Sequence, residues 1–179
     1  MISLFPDGKK TKLTDLYGKT CENEAYFEIK AIDSYLYAAF YCFFKEKPKD
    51  MTAIHGKKVY RDECVELFIG NREKYYEIDV SAYNARFTAL VQNPNNEPEP
   101  PEKEIEIAGL ETSVEMQANY YEVVYKIPLD SLKAFGQLYF NAFRVEMVNG
   151  QRVSRAVSKT MCKSHHCSAA FLPVAFCDK

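Results

Sequence analysis

Residues 59–81, VYRDECVELFIGNREKYYEIDVS, contain the clearest structural pattern in the chain. Residues 64–69 and 75–80 each alternate between two kinds of side chain, and the polar stretch GNREK at 70–74 separates them. Successive side chains of a β-strand point to opposite faces, so a period of two predicts strands. One face of these runs carries Val65, Leu67, Ile69, Tyr76, Ile78 and Val80. The segment therefore predicts a β-hairpin whose apolar face is directed into a core.

The opposite face of the predicted hairpin carries carboxylates. Glu66, Glu77 and Asp79 alternate there with Cys64, Phe68 and Tyr75. A buried carboxylate without a partner is costly or changes its pKa. These residues therefore indicate a polar surface that faces either a ligand or oppositely charged side chains.

Period-two patterns recur along the rest of the chain, and helical patterns are scarce. Further strands are predicted at 25–31, 35–44, 85–91, 105–107, 112–117, 120–127, 138–148 and 152–157. Residues 128–136, which begin with Pro and end with Gly, predict one short helical turn. The chain is therefore predicted to be all-β, an antiparallel β-sandwich of the immunoglobulin or jelly-roll kind, with a closed barrel as the alternative.

The length of the chain suits one domain. Its 179 residues are enough for a sizeable core, so residues 1–179 predict a single β-sandwich domain. Residues 93–104 are rich in Pro and Glu and predict a surface loop within that domain.

Charge and hydropathy exclude several classes of partner. The chain has 23 basic and 25 acidic residues, so it offers no basic field for a nucleic acid. No apolar run approaches the roughly 20 residues of a membrane helix. The first residues do not have the pattern of a signal peptide. We expect a cytoplasmic protein if these residues are the whole chain, and a secreted one if they are part of a longer precursor. Most of the six cysteines are expected to be free thiols.

Several segments together resemble the carbohydrate-binding module family 9-like domains, which belong to the DOMON-like superfamily. They are YRDECVELFI at 60–69, YYEIDVS at 75–81, YKIPLDSL at 125–132, LYFNAFRVE at 138–146 and, more weakly, FLPVAF at 171–176. The resemblance implies two antiparallel sheets with a concave face that holds sugars, and structural metal ions such as calcium. It therefore predicts a non-catalytic domain that binds a mono- or oligosaccharide.

The chain departs from this family in its aromatic residues. Sugar sites of the family stack Trp on the sugar ring, and this chain contains no Trp. Tyr60 stands where Trp would be common, and Val157 stands where another Trp is expected. A Tyr ring can stack on a sugar, whereas Val offers no comparable flat surface.

Sugar recognition requires a flat apolar surface and fixed polar groups that bind hydroxyls. We predict polar contacts from Asp62, Glu66, Glu77, Asn141 and Arg144, with Tyr60 or Tyr75 as the stacking platform. In the alternative interpretation, Arg144 neutralises Glu66 or Glu77 in a structural network. Both can hold, since a salt-bridged surface can also bind hydroxyls.

Two other functions remain open. A glycoside-acting enzyme would use Glu66 and Glu77, because such enzymes need two carboxyl groups about 5 to 10 Å apart. A protein-interaction scaffold that has lost sugar binding would instead present the same sheet face to a protein partner.

The motif CKSHHC at 162–167 contains metal-ligating side chains. Cys162, His165, His166 and Cys167 are weak candidates for a zinc site, and an exposed loop with incidental ligands or a disulfide between the two cysteines is the alternative. On a strand, the adjacent histidines would point in opposite directions. DOMON-like relatives can bind haem through Met and His, and the chain offers Met51, His55, Met161, His165 and His166.

Overall fold

The structure is a computed structural model that describes residues 10–51, 54 and 58–174, together with the backbone of residues 2–3. Within these residues the strands are β1 (Ile2–Ser3), β2 (Thr11–Lys12), β3 (Thr14–Asp15), β4 (Ala25–Ile32), β5 (Tyr35–Phe43), β6 (Cys64–Gly70), β7 (Lys74–Ser81), β8 (Arg86–Gln92), β9 (Glu102–Glu104), β10 (Glu111–Met116), β11 (Tyr120–Pro128), β12 (Tyr139–Val148), β13 (Gln151–Ala156) and β14 (Leu172–Pro173). The helix α1 (Leu129–Leu132) is a single short turn, and 3-10 turns occupy Val59–Arg61, Lys133–Phe135 and Ser168–Ala170.

The strands form two antiparallel sheets. The small sheet has the order β1-β4-β5-β11-β10, with β2 also paired to β4. The large sheet has the order β3-β13-β12-β6-β7-β8-β9, with β14 also paired to β12. The two sheets pack face to face, so the predicted all-β antiparallel sandwich with one short helical turn is confirmed.

The hairpin of β6 and β7 places its apolar face in the core, as the alternation predicts. Leu67 pairs with Ile78 and Val65 pairs with Val80, and all four are fully buried. The hydroxyl of Tyr125 on β11 of the small sheet donates to the Val65 carbonyl at 3.1 Å. Hydrophobic burial and this buried hydrogen bond therefore fix the hairpin against the small sheet.

The end of the predicted surface loop at 93–104 differs from the sequence-based expectation. Glu102–Glu104 forms β9, an exposed edge strand, because Lys103 pairs with Leu90 of β8. The predicted strand at 105–107 is wrong, since β9 ends at Glu104, although the Ile105 N–H still donates to the Thr88 carbonyl of β8 at 3.1 Å. The part of the loop before β9, residues 93–101, is here called the acidic loop.

In the part of the chain that the structure describes, none of the helices has the length and apolar character needed to cross a membrane.

Candidate functional site

The candidate site lies on the face of the large sheet that is turned away from the small sheet, here called the outer face. Residues 158–171, here called the covering segment, run over this face. The buried amide of Asn141 on β12 fixes where the covering segment begins. Its Nδ2 donates to the Ser158 carbonyl at 2.9 Å, and its Oδ1 accepts from the Ser158 N–H at 3.0 Å.

The acidic loop holds the covering segment from the other side. Asn93 Nδ2 donates to the His166 carbonyl at 2.7 Å, and the Ser164 hydroxyl donates to the Pro98 carbonyl at 2.9 Å. Asn96 Oδ1 accepts from the Ser168 hydroxyl at 3.1 Å and from the Ala169 N–H. The two loops are therefore fastened to each other above the sheet.

Both histidines of the covering segment lie on aromatic side chains of the outer face. The His165 ring stacks on Phe143 with 4.4 Å between the centroids, and the His166 ring stacks on Phe68 at 5.0 Å. The residues form a turn and not a strand, so the expectation that adjacent histidines point in opposite directions does not apply.

An open cavity of about 860 Å³ lies between the outer face, the acidic loop and the covering segment. It is here called the outer cavity. Its lining combines aromatic rings, hydroxyls and charged groups from separate parts of the chain. The residues are Leu16, Tyr60, Glu66, Phe68, Glu77, Pro98, Glu99, Pro100, Glu102, Arg152, Ser154, Lys163, Ser164, His165 and His166.

Glu66 is the carboxylate with the strongest partners in the outer cavity. His165 Nδ1 lies 2.5 Å from its Oε2, and Arg152 Nη2 lies 3.3 Å from its Oε1. Burial alone would raise the pKa of Glu66, but His165 and Arg152 bring that pKa below its ordinary value. Glu66 is therefore held as a carboxylate.

The pKa values of the neighbouring carboxyl groups, those of Glu77 and Asp79, are shifted in the opposite direction. Burial and the charges of Glu66 and Glu102 raise the pKa of Glu77 well above its ordinary value. Burial and the charges of Glu77 and Glu66 raise the pKa of Asp79 in the same way. Neither oxygen of Asp79 accepts a hydrogen bond from a described residue, and neither does Oε2 of Glu77. The outer face thus combines one firmly ionised carboxylate with two that favour protonation.

His166 is neutral at ordinary pH, because burial lowers its pKa to about 4. Asn93 Nδ2 donates to the Tyr75 hydroxyl oxygen at 3.3 Å, and that hydroxyl lies 2.9 Å from His166 Nδ1. The other ring nitrogen of His166 is Nε2. That atom faces Glu77 Oε2 at 3.9 Å, which is too long for a hydrogen bond.

The structure brings three of the predicted ligand residues, Tyr60, Glu66 and Glu77, to the outer cavity. Two others contribute to its support and not to its lining. Tyr75 is fully buried beneath His166, so it offers no open ring, and the Asn141 amide holds the covering segment. Asp62 is buried just before β6 and is also absent from the lining.

The prediction that Arg144 shares a surface with Glu66 and Glu77 is wrong. Arg144 pairs with Val65, whose side chain is in the core, so its own side chain points between the sheets. It is fully buried, with Nη2 3.2 Å from Glu146 Oε2 and Nη1 donating to the Glu24 carbonyl. Arg155 also pairs with Glu146. A structural network does exist, but Glu146 is its carboxylate, so the alternative that Arg144 neutralises Glu66 or Glu77 is also wrong.

The metal candidates do not converge on one centre. Among the described residues, no group of three or more His, Cys, Asp or Glu side chains is placed to hold a metal ion. Cys162 and Cys167 are free thiols, while His165 and His166 point at the sheet. Of the residues named for haem, His55 lies outside the described residues, and Met161 is an exposed residue with a positive φ of 58°.

Sequence reasoning missed most of the cavity's polar lining. The sequence indicates Arg152 and Ser154 only as parts of a strand and Glu102 only as part of a loop. The position of Phe68 can be inferred from the sequence. It lies two residues after Glu66 on β6 and pairs with Glu77 of β7, so all three side chains point to the same face. The sequence indicates His165 and His166 only as candidate metal ligands, since no periodicity shows how the covering segment folds.

The chain has the carbohydrate-binding module family 9-like fold, an assignment that comes from similar solved structures. A carbohydrate-binding protein from Bacteroides uniformis, described as putative, superposes with a TM-score of 0.68 at 15% identity over 92% of this chain and 84% of that one. A family 9 module from Caldicellulosiruptor kristjanssonii in complex with glucose superposes with a TM-score of 0.59 at 13% identity over 100% and 93%.

A family 9 module from Caldicellulosiruptor kristjanssonii in complex with cellotriose gives a TM-score of 0.52 at 16% identity over 87% of this chain and 77% of that one. No protein-family model and no curated protein sequence matches the chain. The likeness is therefore one of fold.

Proposed function

We propose that this protein is a non-catalytic carbohydrate-binding domain that holds a mono- or oligosaccharide in the outer cavity. The observation that carries the proposal is the composition of that cavity. Aromatic rings, ionised groups and hydroxyls line one open space of about 860 Å³. Sites for small ligands are typically about 300–1,000 Å³ and combine apolar walls with a few fixed polar groups.

Each type of lining group has a part in sugar recognition. The ring of Tyr60 is half-buried and is held edge-on by Phe87 at 5.4 Å, so it offers a fixed surface for the C–H face of a sugar. Glu66 accepts hydrogen bonds from hydroxyls, while Arg152 and Lys163 donate to them. Two of the similar structures are complexes with glucose and cellotriose, which supports a saccharide here.

The arrangement around Glu66 supports binding and not hydrolysis. His165 and Arg152 contact different oxygens of this carboxylate. A retaining glycosidase needs a carboxylate oxygen free to attack the sugar, and an inverting one needs a carboxylate that activates water. With His165 on one oxygen and Arg152 on the other, Glu66 is better placed to accept a further hydrogen bond from a hydroxyl than to attack a sugar or activate water. The structural calcium ion that the family resemblance implies, and the location of the protein in the cell, stay predictions.

Calorimetric titration with glucose and cellotriose tests the proposal. We expect both to bind, and we expect Tyr60→Ala to weaken binding by about tenfold, since truncating one aromatic anchor commonly costs more than 1 kcal/mol. Tyr83→Ala is the matched control, because Tyr83 is an exposed ring in the turn between β7 and β8 and is absent from the cavity lining. Binding that is unchanged in Tyr60→Ala would place the sugar elsewhere, and no binding of any saccharide in a broad panel would refute the proposal.

Two further measurements separate the alternatives. EDTA treatment before titration shows whether calcium contributes, since removing a structural ion would lower both affinity and melting temperature. Incubation of the protein with cellotriose, followed by analysis of the products, tests for hydrolysis. Cleavage that disappears in Glu66→Gln would favour the glycosidase. A co-purifying protein partner, together with no sugar binding, would favour the scaffold.

A further inference from the structure

The carboxyl groups of Glu77 and Glu102 meet in the outer cavity. Glu77 is on β7 and Glu102 is on β9, and the strand between them, β8, places the small side chain of Ala89 directly beside Glu77. The Glu102 carboxyl lies within hydrogen-bonding reach of Glu77. Both residues line the outer cavity, so both are accessible to a ligand there.

This pair lacks a donor among the described residues. Only 5% of the Glu77 surface is exposed. Its Oε2 accepts no hydrogen bond from a described residue. The nearest imidazole nitrogen, His166 Nε2, is 3.9 Å away. Two carboxylates that face each other repel, so a proton or a cation between them stabilises the pair.

The groups that surround Glu77 do not supply that cation. The titratable and charged side chains that act on it or contact it come from β6, β7, β9, β13 and the covering segment. They are Glu66, Tyr75, Asp79, Glu102, Arg152 and His166. Among them Arg152 is the one with a permanent positive charge, and it contacts Glu66.

The covering segment and the acidic loop do not reverse this charge. Glu99 adds another carboxylate to the cavity lining, and Lys163 adds one ammonium group. After Glu66 is paired with Arg152 and His165, the remaining lining is more acidic than basic. A ligand with a positive charge therefore fits this side of the cavity better than a neutral or anionic one.

We propose that the saccharide bound by this protein carries a free amino group, and that its ammonium lies between the carboxylates of Glu77 and Glu102. This inference rests on the proposed function, whose sugar-binding site it makes specific for an amino sugar. An ammonium supplies the donors that Glu77 lacks, and charge-assisted hydrogen bonds are about twice as strong as neutral ones. Because Glu77 favours its protonated form in the empty site, binding of the ammonium displaces a proton into solvent.

The test uses three β-1,4-linked glucose-type disaccharides that differ only at C2, which carries an amino, an acetamido or a hydroxyl group. At about pH 6, where a sugar amine is protonated, we expect the amino disaccharide to bind about tenfold more tightly than the hydroxyl one. The acetamido disaccharide has no charge and is expected to gain no such preference. Calorimetry in two buffers of different ionisation enthalpy should show proton release for the amino disaccharide alone.

Variants then assign the preference to the carboxyl pair. Glu77→Gln and Glu102→Gln are each expected to bring the ratio of amino to hydroxyl affinity close to one. Glu102 is exposed on an edge strand, so Glu102→Gln remains informative where Glu77→Gln unfolds the protein. Glu111→Gln, on β10 of the small sheet, makes the same change in net charge and should keep the full ratio.

The outcomes separate this inference from the proposed function. Equal affinities for the amino and hydroxyl disaccharides in the wild type would overturn the amino-sugar inference and leave sugar binding intact. A preference that survives in both carboxyl variants would also overturn it. Failure of all three disaccharides, together with glucose and cellotriose, would refute both proposals.

Discussion

The imidazole ring of His165 lies flat on the phenyl ring of Phe143, with 4.4 Å between their centroids and 5° between their planes. The same imidazole places Nδ1 2.5 Å from Glu66 Oε2. One side chain of the covering segment therefore both packs on the sheet and compensates a buried carboxylate of the outer face. The shape of the outer cavity and its charge balance depend on this contact.

Removing the His165 imidazole should expose that dependence. In His165→Ala, Glu66 keeps Arg152 as its partner but loses the closer one. We expect the free energy of unfolding to fall by about 1–3 kcal/mol and the pKa of Glu66 to rise. Urea unfolding and a ¹³C NMR titration of the Glu66 carboxyl measure the two effects. His165→Phe keeps a stacked ring and loses only the contact with the Glu66 carboxylate, so an unchanged Glu66 pKa in both variants would contradict the assignment.

The buried network between the sheets should be among the most sensitive places in the protein. Glu146 contacts both Arg144 and Arg155, and all three are almost completely buried. In Glu146→Gln, two guanidinium groups lose their shared carboxylate, and breaking a buried ion pair typically costs about 3–5 kcal/mol. Thermal or urea unfolding measures this loss.

The matched control for that change is Asp130→Asn. Asp130 pairs with Lys133, and both side chains are exposed, so this ion pair contributes little. Equal stability of Glu146→Gln and Asp130→Asn would mean that the network between the sheets is not an ion pair of the kind described.

Asn141 should control the covering segment rather than contact a ligand. Its amide makes hydrogen bonds of 2.9 and 3.0 Å with Ser158 and also accepts from the Ala142 N–H. We expect Asn141→Ala to cost about 1–3 kcal/mol because backbone groups lose their partners. Backbone amide hydrogen exchange should become faster in residues 158–171, while exchange in the strands of the two sheets stays slow. Asn95→Ala, an exposed amide of the acidic loop, should leave that exchange unchanged.

The neutral state of His166 predicts a specific dependence of stability on pH. Its pKa is about 4 in the folded protein and near 6.5 when unfolded, so between these values the unfolded chain binds more protons. The contribution of His166 to the free energy of unfolding therefore rises as pH increases from about 4 to about 6.5 and is constant above that range.

Comparison with His166→Gln isolates this contribution. The raised pKa values of Glu77 and Asp79 act in the opposite direction, because their folded forms retain protons that the unfolded chain releases. The difference in stability between wild type and His166→Gln should widen from about pH 4 to 6.5. An NMR titration of His166 with a midpoint near 6.5 would contradict the prediction.

The fold could be predicted from the sequence because its strongest signal is local. Alternation alone placed Leu67 and Ile78 in the core and Glu66 and Glu77 on the outer face, and the structure confirms both faces. Strand β12 is different, because polar and apolar residues occur on both of its faces. Only its pairing with β6, which depends on distant parts of the chain, shows that Arg144 points into the sandwich.

Apart from Tyr60, which the family resemblance indicated and which lies in a 3-10 turn, the candidate site could be predicted only where strands contribute to it. Glu66 and Glu77 belong to a periodic pattern, so their shared face followed from the sequence. His165 belongs to a segment without periodicity, and its position results from contacts with Phe143 and Glu66. Such contacts join residues that are far apart in the chain, and no local propensity encodes them.

The acidic loop and the covering segment are attached to each other above the sheet, while the residues beneath them are paired strands. Alterations near Glu99 or Lys163 would thus reshape the cavity wall with little effect on the interior, since both belong to loops and not to the sheet. Ligand choice and foldability can accordingly be engineered, or diverge during evolution, as separate traits of one scaffold. A library restricted to exposed positions of these two loops, such as Glu99 and Lys163, would search for new sugars at small risk to the sandwich.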